Sequence, residues 1–278
     1  MLSHERESGP TPSRGESKPL QLAYSEFQAE MLDEQGRRRK AAKILAVLQH
    51  FLGRPDLADL QVLDIGCSAG FIADEFRLAG AHVIGLDVDE PGLEKARGRF
   101  GDHVEFVRAP GDAIPLSTKS VDIVILNHIY EHVPDPHPVM AEICRVVKDE
   151  GVVYLGLGNR LGIMEPHYKL PFLSWLPKRL AHRYVRLTGR TDNYYETFQT
   201  RWGLRRMCRN LHVWDYTYTV LAHAERFAAE DLVPRRLRGM PPAFWRVISP
   251  VLPTYIWVGT PGSREPHGPD LEVNPSRS

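Results

Sequence analysis

Residues 62–70 constrain the fold of this chain more than any other segment. They read VLDIGCSAG, an apolar run that holds one acidic residue and ends in a turn bounded by glycines, and residues 71–78 follow with helical apolar spacing. A strand that passes through such a turn into a helix leaves free backbone N–H groups at the C-terminal edge of a sheet. Small side chains let a ligand approach that backbone closely. The segment therefore predicts an α/β sheet with a ligand site at its edge.

Short apolar runs alternate with helical patterns on both sides of this segment. Runs with little polar alternation are typical of strands covered on both faces, and β-α alternation predicts a parallel, doubly wound sheet. The predicted strands are residues 62–65, 82–86, 104–107, 121–126 and 152–157, and the predicted helices are 71–78, 91–99 and 138–147.

The pattern changes after residue 157. Prolines, aromatic residues and many basic residues follow, and we interpret about 159–195 as a lid inserted after the fifth strand. A helix is predicted at about 196–210, with strands at 212–221 and 254–258. The predicted fold is a Rossmann-like α/β fold with a seven-strand, mostly parallel, doubly wound sheet.

One domain, at residues 20–260, accounts for most of the 278 residues, because this length is within the range of a single α/β unit. Residues 1–19 and 261–278 are rich in Ser, Pro, Gly and charge, without apolar periodicity. Such segments bury too little apolar surface to offset the entropy lost on ordering. Both are therefore predicted to be disordered tails.

Composition excludes several classes of protein. Lys+Arg 35 and Asp+Glu 35 give a formal net charge of zero, which argues against a protein that holds nucleic acid through an overall positive field. No stretch approaches the roughly 18 apolar residues of a membrane span, and the polar, acidic N-terminus is unlike a signal peptide. The three cysteines form no CxxC pair, which is typical of a reducing compartment. We expect a cytoplasmic protein without a nucleic-acid partner.

The turn at residues 66–70 is open to several interpretations. The dinucleotide pattern GxGxxG needs glycine at positions 68 and 71, where the chain has Ser68 and Phe71, and no GK[ST] of a Walker A loop follows. The hydrolase pattern GxSxG matches literally, with Ser68 as nucleophile. That interpretation gives no role to Asp64 or to the later Asp87.

Two segments resemble a known family. VLDIGCSAG is similar to motif I of class I S-adenosylmethionine-dependent methyltransferases, with Ser68 at the usual middle glycine. VDIVILNHIYEHVPDP, at residues 121–136, resembles a later region of the subgroup that includes quinone-biosynthesis methyltransferases. The resemblance covers roughly residues 40–157 and implies an S-adenosylmethionine cofactor and methyl transfer to a small-molecule acceptor, with O-methylation the reaction we expect. A serine hydrolase and a cofactor-binding protein without catalysis are the alternatives.

Acidic residues at the predicted strand ends suit this cofactor. Asp64 would be a costly buried charge unless it met a cation such as the ligand ammonium, and the Asp87 carboxylate can accept hydrogen bonds from ribose hydroxyls. Asp89 is better interpreted as a helix cap. The resemblance implies adenine contacts from Asp112 and the N–H of Ala113, which otherwise form an ordinary Gly-Asp turn. The other implied cofactor contacts are Gly66, Cys67, Ser68, Gly70, Val88 and Asn127.

Histidines supply the candidates for a base. Methyl transfer from a sulfonium is an in-line displacement that needs no metal, so we expect none, and the protein must align the acceptor and remove a proton. The alternative is a divalent ion that uses part of residues 128–132 to orient a catechol-like acceptor. His128 follows the fourth strand directly and is the first candidate, with His132 second and His167 reaching in from the lid. The zinc-peptidase pattern HxxEH also fits residues 128–132, but it needs a long helix and prolines follow at once. The alternative is that His128 and His132 only form hydrogen bonds with the backbone and that His167 is an ordinary loop residue.

The predicted lid combines basic and apolar side chains. No acidic residue occurs from His167 to Thr191. Such a surface packs on the core, contacts an anionic membrane peripherally, or covers a lipid-like or anionic acceptor. The residues concerned are Lys169, Lys178, Arg179, Arg183, Arg186 and Arg190, with Phe172, Leu173, Trp175, Leu176 and Leu180 interleaved.

Overall fold

A computed structural model describes residues 33–278 and centres on one sheet. Its strands are β1 Gln61–Ile65, β2 His82–Asp87, β3 Glu105–Arg108, β4 Val121–Asn127, β5 Val147–Gly158, β6 His212–Asp215, β7 Thr254–Thr260 and β8 Ser276–Arg277. They lie in the order β3-β2-β1-β4-β5-β7-β6-β8. Strands β1 to β5 pair in parallel, while β7 pairs antiparallel with both β5 and β6.

Helices connect the strands and cover both faces of the sheet. They are α1 Glu34–Leu52, α2 Phe71–Leu78, α3 Glu90–Phe100, α4 Pro136–Val146, α5 Lys178–Leu187, α6 Arg201–Met207, α7 Thr217–Ala222 and α8 Pro242–Ile248. Short 3-10 turns occur at Leu173–Trp175, Arg235–Leu237 and Ser249–Val251. The predicted Asp89 cap is confirmed, because its carboxylate accepts from the N–H of Gly92 at the start of α3.

Alternate residues of each strand face opposite layers of the core. Leu63 of β1 packs in the layer with Ile143 of α4, whereas its neighbour Val62 packs in the layer with Ile44 of α1 and Phe76 of α2. Strands β2 and β3 extend the sheet on one side of β1, and β4 and β5 extend it on the other side. A crevice forms where the winding reverses, at the carboxyl ends of β1 and β4. The predicted doubly wound α/β fold is confirmed, with eight strands in place of seven.

One strand and one helix in the second half of the chain differ in their bounds from the predicted elements. The strand predicted at 212–221 ends at Asp215, and the prediction is wrong for the remainder, which forms α7. The buried Asp215 carboxylate accepts from the N–H of Thr217 at 2.8 Å and pairs with Arg201 at 2.7 Å. This local hydrogen bond starts a helix where the side chains alone favour a strand. The helix predicted at 196–210 is shorter, since Thr200 caps it by accepting from the N–H of Gly203.

The C-terminal residues 261–278 also differ from the predicted disorder. The N–H of His267 donates to the carbonyl of Phe51 at 2.9 Å, and the Trp214 indole donates to the carbonyl of Arg264 at 2.9 Å. Strand β8 pairs with β6, and Val273 is buried. Several of these contacts are made by backbone groups, and amino-acid composition gives no information about backbone hydrogen bonds. The predicted disordered tail at 1–19 lies outside the described residues.

Replacing Val273 with serine tests this anchoring. The change puts a hydroxyl where an apolar side chain is buried, so we expect a loss of about 1–2 kcal/mol in the free energy of unfolding, measured by urea denaturation. Glu272→Ser, at the exposed neighbouring position, is the control and should change stability little. Equal stabilities for the two variants would show that the segment does not pack.

Candidate functional site

The turn after β1 has a backbone that only certain residues adopt easily. Gly66, Ser68 and Gly70 all have positive φ, at 77°, 48° and 79°. A Cβ on Gly66 would displace the end of the Ile129 side chain and would also strain the backbone at this positive φ. Gly66 donates its N–H to the carbonyl of Leu86 at 2.7 Å, which joins the turn to the end of β2.

Asp87 organises the neighbouring strand end. Its carboxylate accepts three backbone hydrogen bonds, from the N–H of Ser68 at 2.7 Å, of Val88 at 2.7 Å and of Asp89 at 2.9 Å. Burial raises the pKa of this carboxyl above its ordinary value, and these backbone donors offset part of the rise. The carboxylate is thus fixed in position at the crevice.

Asp64 at this edge is in an environment that disfavours its charged form. Its side chain is buried, and its Oδ2 accepts no hydrogen bond from residues 33–278. Burial raises the pKa of Asp64 to about 7; the positive charge of Arg37 lowers it in part, and the negative charge of Asp87 raises it further. A buried carboxyl in this state is stabilised by a cation placed beside it.

A cleft lies over the ends of β1 and β2, with about 650 Å³ of empty space including its mouth. Four of the predicted cofactor residues line it: Gly66, Asp87, Val88 and Asp112. The Ala113 N–H donates to the carbonyl of Pro110 at 3.1 Å, so its predicted adenine contact competes with a bond already made. The predicted contacts that do not line this cleft are Asp64, Cys67, Ser68, Gly70, Ala113 and Asn127.

Ser68 has no partner that would make it a nucleophile. Its hydroxyl is buried and forms no hydrogen bond with any described residue. A serine nucleophile needs an adjacent base within hydrogen-bond reach. The serine-hydrolase interpretation is therefore not supported.

A second cavity opens on the other side of the β4 end. Asn127 and His128 line it together with Tyr154, Thr254 and, from α1, Lys40. The structure thus places Asn127 on this side of β4 and not in the cleft over β1 and β2. This second cavity meets the end of the strand that separates the two spaces.

His128 is held firmly at this boundary. Its backbone has a φ of 57°, in the left-handed region, and its N–H donates to the carbonyl of Gly156 at 2.8 Å. Its Nδ1 lies 2.9 Å from Oε1 of the buried Glu131. Burial raises the pKa of Glu131, but the hydrogen bond from His128 and the nearby histidine charges outweigh it and lower the pKa to about 2. Glu131 is ionised and fixes the imidazole ring.

The other two predicted histidines meet each other. Nε2 of His132 lies 3.1 Å from Nε2 of His167, whose Nδ1 lies 2.8 Å from Oε1 of the buried Glu165. Burial lowers the pKa of His167, but the hydrogen bond to Glu165 and the surrounding carboxylates raise it above its ordinary value. The rings of His128 and His167 are 6.3 Å apart between centroids. The three histidines therefore form one cluster.

Sequence reasoning missed two glutamates of this cluster. Glu165 and Glu196 are both buried, and Oε1 of Glu196 lies 3.9 Å from Nδ1 of His132. Glu165 is the last acidic residue before the segment 167–191, whereas Asp192 lies between that segment and Glu196, so the sequence marks only Glu165. Residues 128–135 form turns and α4 begins at Pro136, so the long helix required by the zinc-peptidase pattern does not occur.

The segment between β5 and α6 is only partly packed on the core. Leu173, Ala181 and Val185 are buried, whereas Leu180 and Leu187 of α5 are exposed. The predicted membrane contact of this segment stays a prediction. Among residues 33–278, no helix has the length and apolar character needed to cross a membrane.

The segment that forms this edge of the sheet is similar to a known protein family. Residues 63–155 match the family model Methyltransf_11, described as a methyltransferase domain. This segment is a methyltransferase domain. It contains both the turn at residues 66–70 and the end of β4 with His128. The predicted family resemblance is therefore confirmed.

Curated relatives extend over part of the chain. An uncharacterized methyltransferase of Mycobacterium tuberculosis is 37% identical over 130 residues, which are 46% of this chain and 51% of that protein. A ubiquinone biosynthesis O-methyltransferase of Aromatoleum aromaticum is 32% identical over 158 residues, or 55% of this chain and 63% of that protein. The chain thus spans about half the length of the first of these relatives.

Solved structures share the fold of the methyltransferase domain. A protein of Pyrococcus horikoshii aligns with a TM-score of 0.58 at 16% identity, covering 86% of this chain and 98% of that one. A chain of the complex between the Haloferax volcanii Trm112 methyltransferase activator and a methyltransferase aligns with a TM-score of 0.52 at 21% identity, covering 84% and 97%. At these identities the likeness concerns the fold alone.

Asp64→Asn should stabilise the ligand-free protein in a pH-dependent way. Because the folded-state pKa of Asp64 is raised, the folded protein keeps a proton that the unfolded chain has released. Wild-type stability therefore falls as pH rises from the ordinary aspartate pKa towards 7. Asparagine removes this effect, so its advantage over wild type in urea denaturation should grow by about 2–3 kcal/mol between about pH 5 and about pH 8.

Asp102→Asn, at an exposed position on the same domain, is the matched control and should show no such trend. A constant difference between Asp64→Asn and wild type across this pH range would mean that Asp64 is ordinarily ionised in the folded protein.

Proposed function

We propose that this protein is an S-adenosylmethionine-dependent methyltransferase that transfers a methyl group to oxygen of a small-molecule acceptor. One observation carries the proposal: a buried carboxyl oxygen of Asp64 without a hydrogen bond from the described residues lies beside a glycine turn, within a methyltransferase domain. This arrangement suits a ligand that has an ammonium group and lies close to the protein backbone at the turn.

The residues present fit this cofactor. Asp64 would hold the ammonium, Asp87 the ribose hydroxyls, and Asp112, exposed at the mouth of the cleft, the adenine amine. When bound, S-adenosylmethionine supplies an electrophilic methyl group on a sulfonium. Gly66, Val88 and the turn before α2 would form the floor of the site, with Cys67, Ser68 and Gly70 setting its backbone.

His128 is the residue we assign as proton acceptor. Its Nδ1 faces the ionised Glu131, so the Nδ1 proton donates to that carboxylate and Nε2 carries the lone pair. Nε2 lies 3.5 Å from the hydroxyl of Thr254, which lines the second cavity with it. An acceptor hydroxyl in that cavity would give its proton to Nε2 as its oxygen bonds to the methyl carbon. The bond from that carbon to the sulfonium sulfur would break in the same displacement and leave the sulfur as a neutral thioether. Glu131 is a positioning residue in this scheme.

Two further observations bear on the acceptor. The relative from Aromatoleum aromaticum is named as an O-methyltransferase of ubiquinone biosynthesis, which supports oxygen as the methylated atom. Lys40, Lys43 and Asp231 border the second cavity beside apolar residues such as Ile44 and Leu252, and the Lys43 ammonium is paired with the Asp231 carboxylate at 2.7 Å. That lining suits an apolar acceptor with a polar group such as a phenol. A cytoplasmic location belongs to the same proposal.

Calorimetric titration with S-adenosylhomocysteine tests the cofactor site. We expect the wild type to bind one equivalent and Asp87→Ala to bind at least about tenfold more weakly, because charge-assisted hydrogen bonds are worth about 1.5–3 kcal/mol. Asp102→Ala is the control and should bind as wild type. Absence of binding by the wild type would overturn the proposed function, provided that circular dichroism shows a folded protein.

A further inference from the structure

We propose that Glu131, His132 and His167 form a binding site for one divalent transition-metal ion, with Zn²⁺ as the best fit. Their ligand atoms all lie within 4.8 Å of one another. Two imidazoles and one carboxylate are a donor set that zinc commonly accepts in proteins. The three residues come from two segments, the turn after β4 and the insertion after β5.

The two imidazole nitrogens already have nearly the spacing that a shared metal imposes. Nε2 of His132 and Nε2 of His167 are 3.1 Å apart. Nitrogens bound to one zinc ion at about 2.0–2.1 Å lie about 3.3 Å from each other at a tetrahedral angle. Their rings are perpendicular, with an interplanar angle of 90° and centroids 4.8 Å apart.

An outer hydrogen bond orients His167 as such bonds orient histidines that bind metals. Oε1 of Glu165 lies 2.8 Å from Nδ1 of His167, so the Nδ1 proton donates to a carboxylate and the lone pair is on Nε2. Tyr168 holds this outer layer in place. Its N–H donates to Oε2 of Glu165 at 2.6 Å, and its hydroxyl donates to Oε1 of Glu196 at 3.3 Å.

The charge of the cluster also favours a cation. Glu131 and Glu165 are fully buried and Glu196 is 2% exposed, so three carboxylates share a small volume. The charged groups that face them are the three histidines and, near Glu196, the ammonium of Lys178. A divalent ion among the carboxylates would lower the electrostatic repulsion between them.

The position would place such an ion beside the second cavity, where we propose that the acceptor binds. The cluster adjoins His128, which lines that cavity. A divalent ion lowers the pKa of a hydroxyl or water that it binds, and this would ease removal of the acceptor proton. This role rests on the proposed function, whereas metal binding itself does not.

The site is tested by adding Zn²⁺, or Co²⁺ as a spectroscopic probe, to the tag-free, full-length chain. The background is Cys144→Ser, because Cys144 is the cysteine that is not buried. We expect one equivalent of Zn²⁺ by calorimetry, a raised melting temperature, and visible d–d absorption from Co²⁺. His167→Gln should abolish all three effects. Glu165→Gln should weaken Zn²⁺ affinity about 10–100-fold through loss of the orienting hydrogen bond.

His103→Gln is the matched control, since His103 is exposed and precedes β3, at the opposite edge of the parallel sheet from the end of β4, and it should bind Zn²⁺ as the background protein does. Absence of saturable binding, or equal binding by His167→Gln, would overturn the site and leave the two histidines as a proton-sharing pair. If His167→Gln does not fold, the Glu165→Gln affinity decides. Titration with S-adenosylhomocysteine in the same proteins reports the cofactor site separately, so failure of the metal site is distinguishable from failure of the proposed function.

Discussion

A carboxyl group buried at the end of β1 sets the electrostatic character of the whole site. Asp64 is 2% exposed, and its pKa is raised to about 7 because burial disfavours the charged form. The parallel strands bring it next to Asp87, which raises the pKa further. Folding therefore tolerates an unfavourable group at the point where the chain reverses its winding. A cationic ligand is what would stabilise it there.

Backbone strain is concentrated at the same edge of the sheet. Ser68 and His128, which follow β1 and β4, both have positive φ, a conformation that costs non-glycine residues about 1 kcal/mol or more. Each is held there by hydrogen bonds to an adjacent strand end: Ser68 donates to Asp87, and His128 donates to the carbonyl of Gly156. The sheet thus fixes the loops that would face cofactor and acceptor.

Local patterns made the cofactor side predictable from sequence, and long-range contacts made the acceptor side much less so. The strand, turn and helix around Gly66 are encoded within a few residues. The helix after Asp215 was mispredicted because a buried carboxylate overrides the strand propensity of the residues that follow. Glu196 approaches His132 only through the fold, since the two are distant in the chain, whereas Glu165 bonds to His167 within one turn of the insertion.

Proton release on cofactor binding tests the central claim most directly. If Asp64 is protonated in the free protein and meets an ammonium in the complex, binding of S-adenosylhomocysteine near pH 6 should release about one proton. Calorimetry in buffers of different ionisation enthalpy measures this release, which should fall to zero well above pH 7. Binding that releases no proton at any pH between these limits would contradict the account, because Asp64 would then not change its charge.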